Sequence, residues 1–122
     1  MTSNEESARS DRLSATPHTI KDVCVVTLQG EIDHTTRDIL EHALLGGNVS
    51  AGPLRIVADL EGVTFMDSSG LNVLISANRQ VNEAGGRLSI AAAQEAVQRV
   101  LTLVGVDTVI DCHPTLEDAL QS

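Results

Sequence analysis

Aromatic residues are almost absent from this chain of 122 residues, which has one Phe and no Trp or Tyr. Proteins that bind single-stranded nucleic acid stack bases on aromatic rings, so the composition argues against that class. Basic residues are also few: eight Lys and Arg stand against 17 Asp and Glu, which gives a net charge of −9. Because binding to a phosphate backbone requires an excess of positive charge, we expect no direct contact with nucleic acid. A basic protein surface is the partner that this acidity favours.

Long apolar runs are missing as well, so no segment has the length of a membrane span. The first ten residues lack the apolar core of a signal peptide, and the protein is therefore expected in the cytoplasm, without membrane contact. The two cysteines, Cys24 and Cys112, do not have the short spacing of a metal site and are expected to be free thiols. No cluster of His, Cys and carboxylates has metal-ligand spacing, so neither a metal nor a cofactor is predicted.

Motifs of common enzymes are not found either. The serine hydrolase elbow has the pattern Gly-x-Ser-x-Gly, which Met66-Asp67-Ser68-Ser69-Gly70 does not match. The four histidines are scattered, and only His34 lies in a loop that is expected near the serines, which is a weak signal for a catalytic triad. We therefore assign no catalytic residue and expect a protein that is not an enzyme.

What the chain does contain is the periodicity of one α/β domain at residues 13–122, after a tail at 1–12 that is predicted to be disordered. Two strands form an antiparallel hairpin, and parallel strands then follow by helix crossovers. The prediction is a mixed sheet covered by about four helices, with Pro17 placing the first strand on an edge. The predicted strands are 13–20, 23–28, 54–60, 87–91 and 109–112, and the predicted helices are 35–45, 70–83, 93–104 and 115–120.

Three of these helices carry specific predictions about their packing or their ends. In the second helix, the inward stripe is predicted from apolar residues at helical spacing. In the third helix, Val104 is predicted to face inward and Gly105 to end the helix, while Gly46-Gly47 is predicted to end the first helix. The predicted inward residues of the second helix are Leu71, Leu74, Ile75 and Val81.

The stretch Val63–Leu71 joins a buried strand to this second helix and contains two adjacent serines. Serine is a favoured N-cap, so a structural interpretation of Ser68 or Ser69 is that its side chain caps the helix. One cap needs only one of them, and the spare hydroxyl would lie at the positive end of the helix dipole. A phosphate is well accommodated there.

Phe65-Met66-Asp67-Ser68-Ser69-Gly70-Leu71, preceded by Gly30-Glu31-Ile32-Asp33-His34, resembles the anti-sigma factor antagonists of the STAS domain family. Those proteins carry a G-E-[IL]-D element and a D-S-[ST]-G-L element at about this separation. The resemblance runs from about Leu13 to Leu120 and implies a STAS-type mixed sheet. In the family, the serine directly after the motif aspartate is phosphorylated, which corresponds to Ser68.

The resemblance also implies a partner-switching function. The unphosphorylated protein would bind an anti-sigma factor, a serine kinase with a histidine-kinase-like fold, and so release a sigma factor. Phosphorylation would end the binding, and a serine phosphatase would restore it. In the family, the equivalents of Asp33 and Asp67 belong to the surface that meets the kinase. The predicted partner-binding residues are Asp33, Asp67, Ser69, Gly70 and Val73.

Several alternatives stay open at this point. Asp33 has the position of a simple helix cap. Val73 and Ala77 lie on the flank of the second helix, where they either pack against a neighbouring helix or dock the partner. Whether Ser69 can replace Ser68, and whether the domain forms a weak homodimer, is open. A different class of function is a STAS module that binds a ligand or serves as a scaffold subunit of a larger sensory or lipid-transport complex.

Overall fold

A computed structural model of the protein describes residues 8–9, 12–45 and 55–121. Apolar strand segments and amphipathic helical segments alternate along these residues, as the periodicity predicts. The strands are β1 (Ala8–Arg9), β2 (Leu13–Ile20), β3 (Val23–Ile32), β4 (Arg55–Met66), β5 (Arg87–Ala91) and β6 (Asp111–His113). The helices are α1 (Arg37–Leu45), α2 (Ser68–Glu83), α3 (Glu95–Leu103) and α4 (Leu116–Gln121), with a 3-10 turn at Val106–Thr108.

The six strands form one sheet in the order in which they occur in the chain. β1, β2 and β3 pair antiparallel, and β3, β4, β5 and β6 pair parallel. Helix crossovers connect the parallel strands, because the chain must return to the same end of the sheet before each of them. The predicted mixed α/β sheet is confirmed. Within the described ranges, none of the helices has the length and apolar character needed to span a bilayer.

Two clusters of buried side chains hold the layers together. In the larger one, the inner faces of α1, α2 and α3 pack on strand residues such as Ile56 and Ala58. In the smaller one, Ala119 of α4 packs on Val25 and Val57. Since Val57 alternates with Ile56 and Ala58 along β4, the two clusters lie on opposite faces of the sheet.

The inward stripe of α2 differs from the prediction. Ile75 is 37% exposed, whereas Val73 and Ala77 are 7% and 0% exposed. Val73, Ala77 and Val81 follow one another at intervals of four, so they form a single stripe with Leu74, and Ile75 is turned away from it. The prediction was wrong for Ile75, and Val73 and Ala77 are packing residues.

The end of α3 is partly as predicted. Gly105 has a φ of +80° and follows the C-cap residue Val104, so a glycine in the left-handed region terminates the helix as expected. Val104 itself is 56% exposed, which contradicts its predicted inward position. A residue at the cap no longer follows the helical rotation that would have turned it toward the sheet.

The structure contains one strand that was not predicted, β1 near the N-terminus. Ala8 and Arg9 pair with Ala15 and Ser14, although they fall in the segment predicted to be disordered. The outermost strand is thus β1, so the prediction that β2 is the edge strand was wrong. Because β1 pairs only with Ser14 and Ala15, in the described part of the chain this side of β2 is unpaired at Pro17. The boundary at residue 13 stays a prediction. Gly46-Gly47 and Leu54 lie outside the described residues.

Candidate phosphorylation and docking site

The carboxyl ends of β3 and β4 lie side by side. Ile32 and Met66, the last residues of these strands, are register partners. Asp33 and Asp67 follow them directly, and the backbone N–H of Asp67 donates to the carbonyl of Ile32 at 3.1 Å. The topology thus brings together the two aspartates that the sequence singled out, at the sheet edge where sites of α/β folds collect.

Asp67 is the N-cap of α2. Its backbone is extended, and its Oδ1 accepts a hydrogen bond from the N–H of Ser69 at 2.8 Å. The predicted serine cap is therefore wrong, since the aspartate performs this role and both serines lie in the first helical turn. An aspartate satisfies an orphan N–H as well as a serine does, and its charge also complements the helix dipole.

The two serines differ in their exposure. Ser68 is exposed and Ser69 is half-buried. Within the part of the chain that the structure describes, the Ser68 hydroxyl has no hydrogen-bond partner. Ser68 consequently presents a free hydroxyl at the N-terminus of a 16-residue helix.

Two of the predicted partner-binding residues, Gly70 and Val73, face the interior. A Cβ on Gly70 would lie 2.5 Å from Cγ2 of Ile32 and 2.9 Å from Cγ of Met66. The glycine therefore lets α2 start directly against the ends of β3 and β4. Val73 is 7% exposed. Both residues belong to the packing of α2 against the sheet.

Asp33 is 7% exposed and held by a network of donors. Its Oδ1 accepts from the hydroxyl of Thr35 at 2.6 Å and from the N–H of Thr35 at 2.9 Å. The pKa of Asp33 is lowered, chiefly by the Thr35 hydroxyl and further by backbone N–H groups and the charge of Arg12, while burial opposes the shift. α1 does not start at Asp33, because the Thr36 carbonyl accepts the first helical bonds from Ile39 and Leu40. The aspartate forms the turn ahead of the helix.

Arg12 is a member of this site that the sequence did not indicate. Its guanidinium lies 2.7 Å from Oδ2 of Asp33 and also bonds the carboxylate of Glu31. Its carbonyl accepts from the N–H of Glu31 at 2.8 Å. A Cβ on Gly30, whose φ is +119°, would lie 2.0 Å from that carbonyl oxygen. The glycine of the G-E-I-D element is thus the one sequence signal for the close approach of Arg12.

Two β-bulges shape the end of β4. Relative to β3, one extra residue of β4 is inserted between Asp59 and Gly62, and another between Val63 and Phe65. Val63 and Met66 are both buried, whereas Phe65 is 48% exposed. The sequence alternation did not reveal this exposure.

Reactive groups elsewhere in the described residues do not form a second centre. No three His, Cys, Asp or Glu side chains there are placed to hold a metal ion. Cys24 and Cys112 are free, half-buried thiols. Burial raises both pKa values, and with the nearby charges of Asp107 and Asp111 it brings the pKa of Cys112 to about 11. Both thiols are therefore protonated at neutral pH.

The STAS domain family model matches residues 14–119, and the chain belongs to this family. It is 31% identical to the anti-sigma-F factor antagonist RsfB of Mycobacterium tuberculosis over 110 residues, which cover 90% of this chain and 88% of that protein. It is 30% identical to an anti-sigma F factor antagonist of Paenibacillus polymyxa over 98 residues, covering 80% and 84%. The crystal structure of an anti-sigma factor antagonist from Mycobacterium paratuberculosis has a TM-score of 0.81 and 32% identity, covering 93% and 96% of the two chains.

Proposed function

We propose that this STAS protein is an anti-sigma factor antagonist and that phosphorylation of Ser68 switches it off. The observation that carries the proposal is the free, exposed hydroxyl of Ser68 in the first turn of α2, next to an aspartate that already caps the helix. Relatives named as anti-sigma factor antagonists, which match most of the chain, support the same function.

The unphosphorylated protein binds an anti-sigma factor and thereby releases a sigma factor. We propose that this partner is also a serine kinase with a histidine-kinase-like fold. Asp67 directly precedes Ser68, Asp33 follows the neighbouring strand end, and the whole chain carries a charge of −9 at pH 7. A basic partner face complements this edge and accelerates association.

The phosphorylation step uses the chemistry of the kinase. The Ser68 oxygen attacks the γ-phosphorus of the ATP on the kinase, ADP leaves, and the serine proton passes to a base of the kinase. The phosphate then lies at the N-terminus of α2, where the helix dipole and the N–H groups of the first turn favour an anion. The fold is retained, and the change is confined to the docking face.

The electrostatic effect is large enough to exchange partners. The phosphate adds about 1.5–2 negative charges beside Asp67 and Asp33. An uncompensated charge that is buried in an interface costs about 3–5 kcal/mol. Since 1.4 kcal/mol corresponds to a tenfold change in affinity, the affinity falls by about a hundredfold or more. A serine phosphatase then resets the protein.

The test compares Ser68→Ala and Ser68→Asp as baits in an extract of the host cell, followed by mass spectrometry of the captured proteins. Ser69→Ala and Ser69→Asp are the matched controls, because this neighbouring hydroxyl is half-buried. We expect the Ser68→Ala bait to capture an anti-sigma factor and the Ser68→Asp bait to lose it, with a smaller difference between the two Ser69 baits. Capture of the same proteins by both Ser68 baits would favour a scaffold or ligand-binding subunit instead.

Circular dichroism of Ser68→Asp checks the structural premise. The variant should retain the wild-type spectrum, because a negative charge in the first turn is compatible with the helix dipole. An unfolded Ser68→Asp protein would contradict the placement of the phosphate at a favourable helix end.

A further inference from the structure

Phe65 is the single aromatic residue of the chain, yet its side chain is 48% exposed. It lies three residues before Ser68 at the end of β4, and its register partner on β3 is Glu31. A chain with one phenylalanine would ordinarily bury it, because aromatic rings contribute much to core packing.

The outward position of Phe65 is produced by the second bulge of β4. Val63 is buried, so uninterrupted alternation would point Thr64 outward, Phe65 inward and Met66 outward. The extra residue between Val63 and Phe65 reverses this order: Phe65 turns outward, and Met66 enters the core at 4% exposure. Bulges that re-aim a side chain in this way are typical of strand ends beside functional sites.

The surroundings of Phe65 are acidic. Glu31 is its neighbour across the strands, and Asp33 and Asp67 follow the next pair in register, with Arg12 bonded to Glu31 and Asp33. An exposed aromatic side chain within a polar, charged rim is the arrangement of a protein-interface anchor. We name Glu31, Asp33, Phe65, Asp67 and Ser68 the docking surface.

We propose that Phe65 is the apolar anchor of the docking surface and inserts into an apolar pocket of the anti-sigma factor that is bordered by Arg or Lys side chains. The choice of a protein with a basic rim follows from charge complementarity with the carboxylates around the ring. This inference rests on the proposed function and adds to it the residue that supplies affinity, separately from the residue that switches it.

The other exposed large apolar side chains provide a control. Val109 is 59% exposed and lies just before β6, at the amino ends of the parallel strands. Phe65 lies at the opposite end, near the carboxyl end of β4. Val109 therefore matches Phe65 in exposure and lies away from the docking surface. Truncation of either side chain removes exposed apolar atoms, so both variants are expected to stay folded.

The experiment measures Kd by calorimetry for the purified anti-sigma factor that the Ser68→Ala protein binds. The Ser68→Ala background prevents phosphorylation, and Phe65→Ala, Phe65→Leu and Val109→Ala are added to it one at a time. We expect Phe65→Ala to weaken binding at least tenfold, Phe65→Leu to weaken it less, and Val109→Ala to change it less than twofold. Thermal unfolding of each variant should match the parent within a few degrees.

Each outcome decides between the two proposals. Unchanged affinity of Phe65→Ala would overturn the anchor while leaving the Ser68 switch intact. If Phe65→Ala is unfolded, then Phe65→Leu decides: weaker binding than Val109→Ala supports the anchor, and equal binding overturns it. If Ser68→Ala and Ser68→Asp bind the anti-sigma factor equally and Phe65→Ala loses it, the switch fails and the anchor stands. If no anti-sigma factor binds Ser68→Ala, both proposals fail.

Discussion

Two aspartate turns, Asp33–Thr36 and Asp67–Gly70, lie next to each other at the ends of β3 and β4 and have two hydrogen bonds in common. In each turn, the N–H of the fourth residue donates to the aspartate carbonyl at 3.1 Å. In each, the N–H of the third residue donates to the aspartate carboxylate, at 2.9 Å in the first turn and 2.8 Å in the second. The two turns share these two bonds but differ in the next one: the Asp67 carbonyl also accepts the α-helical bond from the N–H of Leu71 at 3.2 Å, whereas the first helical bonds of α1 go to the Thr36 carbonyl.

The two turns have different residues at their fourth position. Thr36 is buried, and its hydroxyl accepts from the N–H of Asp33 at 2.9 Å and lies 3.0 Å from the carbonyl of Glu31, to which it donates. Gly70 occupies the same position in the second turn, and the space of a side chain is filled by Ile32. The first turn is closed by its own side chains, whereas the second is closed by packing against the strand ends.

This difference explains why only the second turn presents a serine on a helix. In the first turn, the helix starts after the fourth residue, and the side chains are used to hold Asp33. In the second, α2 starts directly after the aspartate, so Ser68 is in a helical turn with its hydroxyl free. The first turn therefore fixes an acidic side chain, and the second presents an exposed serine hydroxyl.

The comparison predicts that hydroxyl groups in the two turns have very different effects on stability. Thr36→Val keeps the shape of the side chain but leaves the buried N–H of Asp33 without an acceptor, which should cost about 1–3 kcal/mol of unfolding free energy. Ser68→Ala removes an exposed hydroxyl and should change the unfolding free energy by less than about 0.5 kcal/mol. Urea denaturation of the two variants measures both values.

Thr36→Ser is the control for this pair, because it retains the hydroxyl and removes only a methyl group. It should recover most of the stability lost in Thr36→Val. Equal losses for Thr36→Ser and Thr36→Val would show that the methyl group, and not the hydroxyl, holds the first turn.

A second prediction concerns the close approach at Gly70. Gly70→Ala forces a Cβ against the buried, β-branched Ile32, and overpacking of this kind costs about 1–3 kcal/mol. The higher helix propensity of Ala offsets up to about 1 kcal/mol of this, so we expect a net loss of about 1–2 kcal/mol. A double-mutant cycle with Ile32→Ala should show coupling, since the clashing methyl group is then gone. Additive effects in that cycle would contradict the contact as the cause.

The order of elements was predictable from sequence because apolar residues recur with different periods in strands and in helices. Each segment from β2 to α4 is long enough, or has clear enough boundaries, for its period to be recognised. The site was partly predictable for a related reason: Asp33 and Asp67 follow strands that topology places side by side. The choice of cap was not predictable, because Asp67, Ser68 and Ser69 are three consecutive good capping residues of similar preference.

The remaining features that the sequence did not predict are those that tertiary contacts determine. Val63-Thr64-Phe65-Met66 fits plain strand alternation, so a bulge that exposes Phe65 leaves no trace in the pattern. Ile75 is more apolar than Ala77, but the stripe that meets the sheet depends on where α2 starts, and that is fixed by the Gly70 contact. Arg12 belongs to a polar segment without periodicity, and only its contacts with Glu31 and Asp33 reveal its place.

The smallest expected effect is the pH dependence contributed by the first turn. The pKa of Asp33 in the folded protein is lowered from the ordinary value of an aspartate, first by the hydrogen bond from the Thr35 hydroxyl. The contribution of Asp33 to stability is therefore complete above that ordinary value and is lost as the pH falls through the lowered folded pKa.

Asp33→Asn should be less stable than wild type by a constant amount between pH 5 and pH 7, because these two pH values are roughly a unit or more above the ordinary pKa of an aspartate. The gap should narrow as the pH falls below about 4. Urea unfolding across this range measures the gap. A gap that stays constant down to about pH 2 would mean that the carboxylate charge of Asp33 does not stabilise the fold, and that the turn depends on its hydrogen-bonded shape alone.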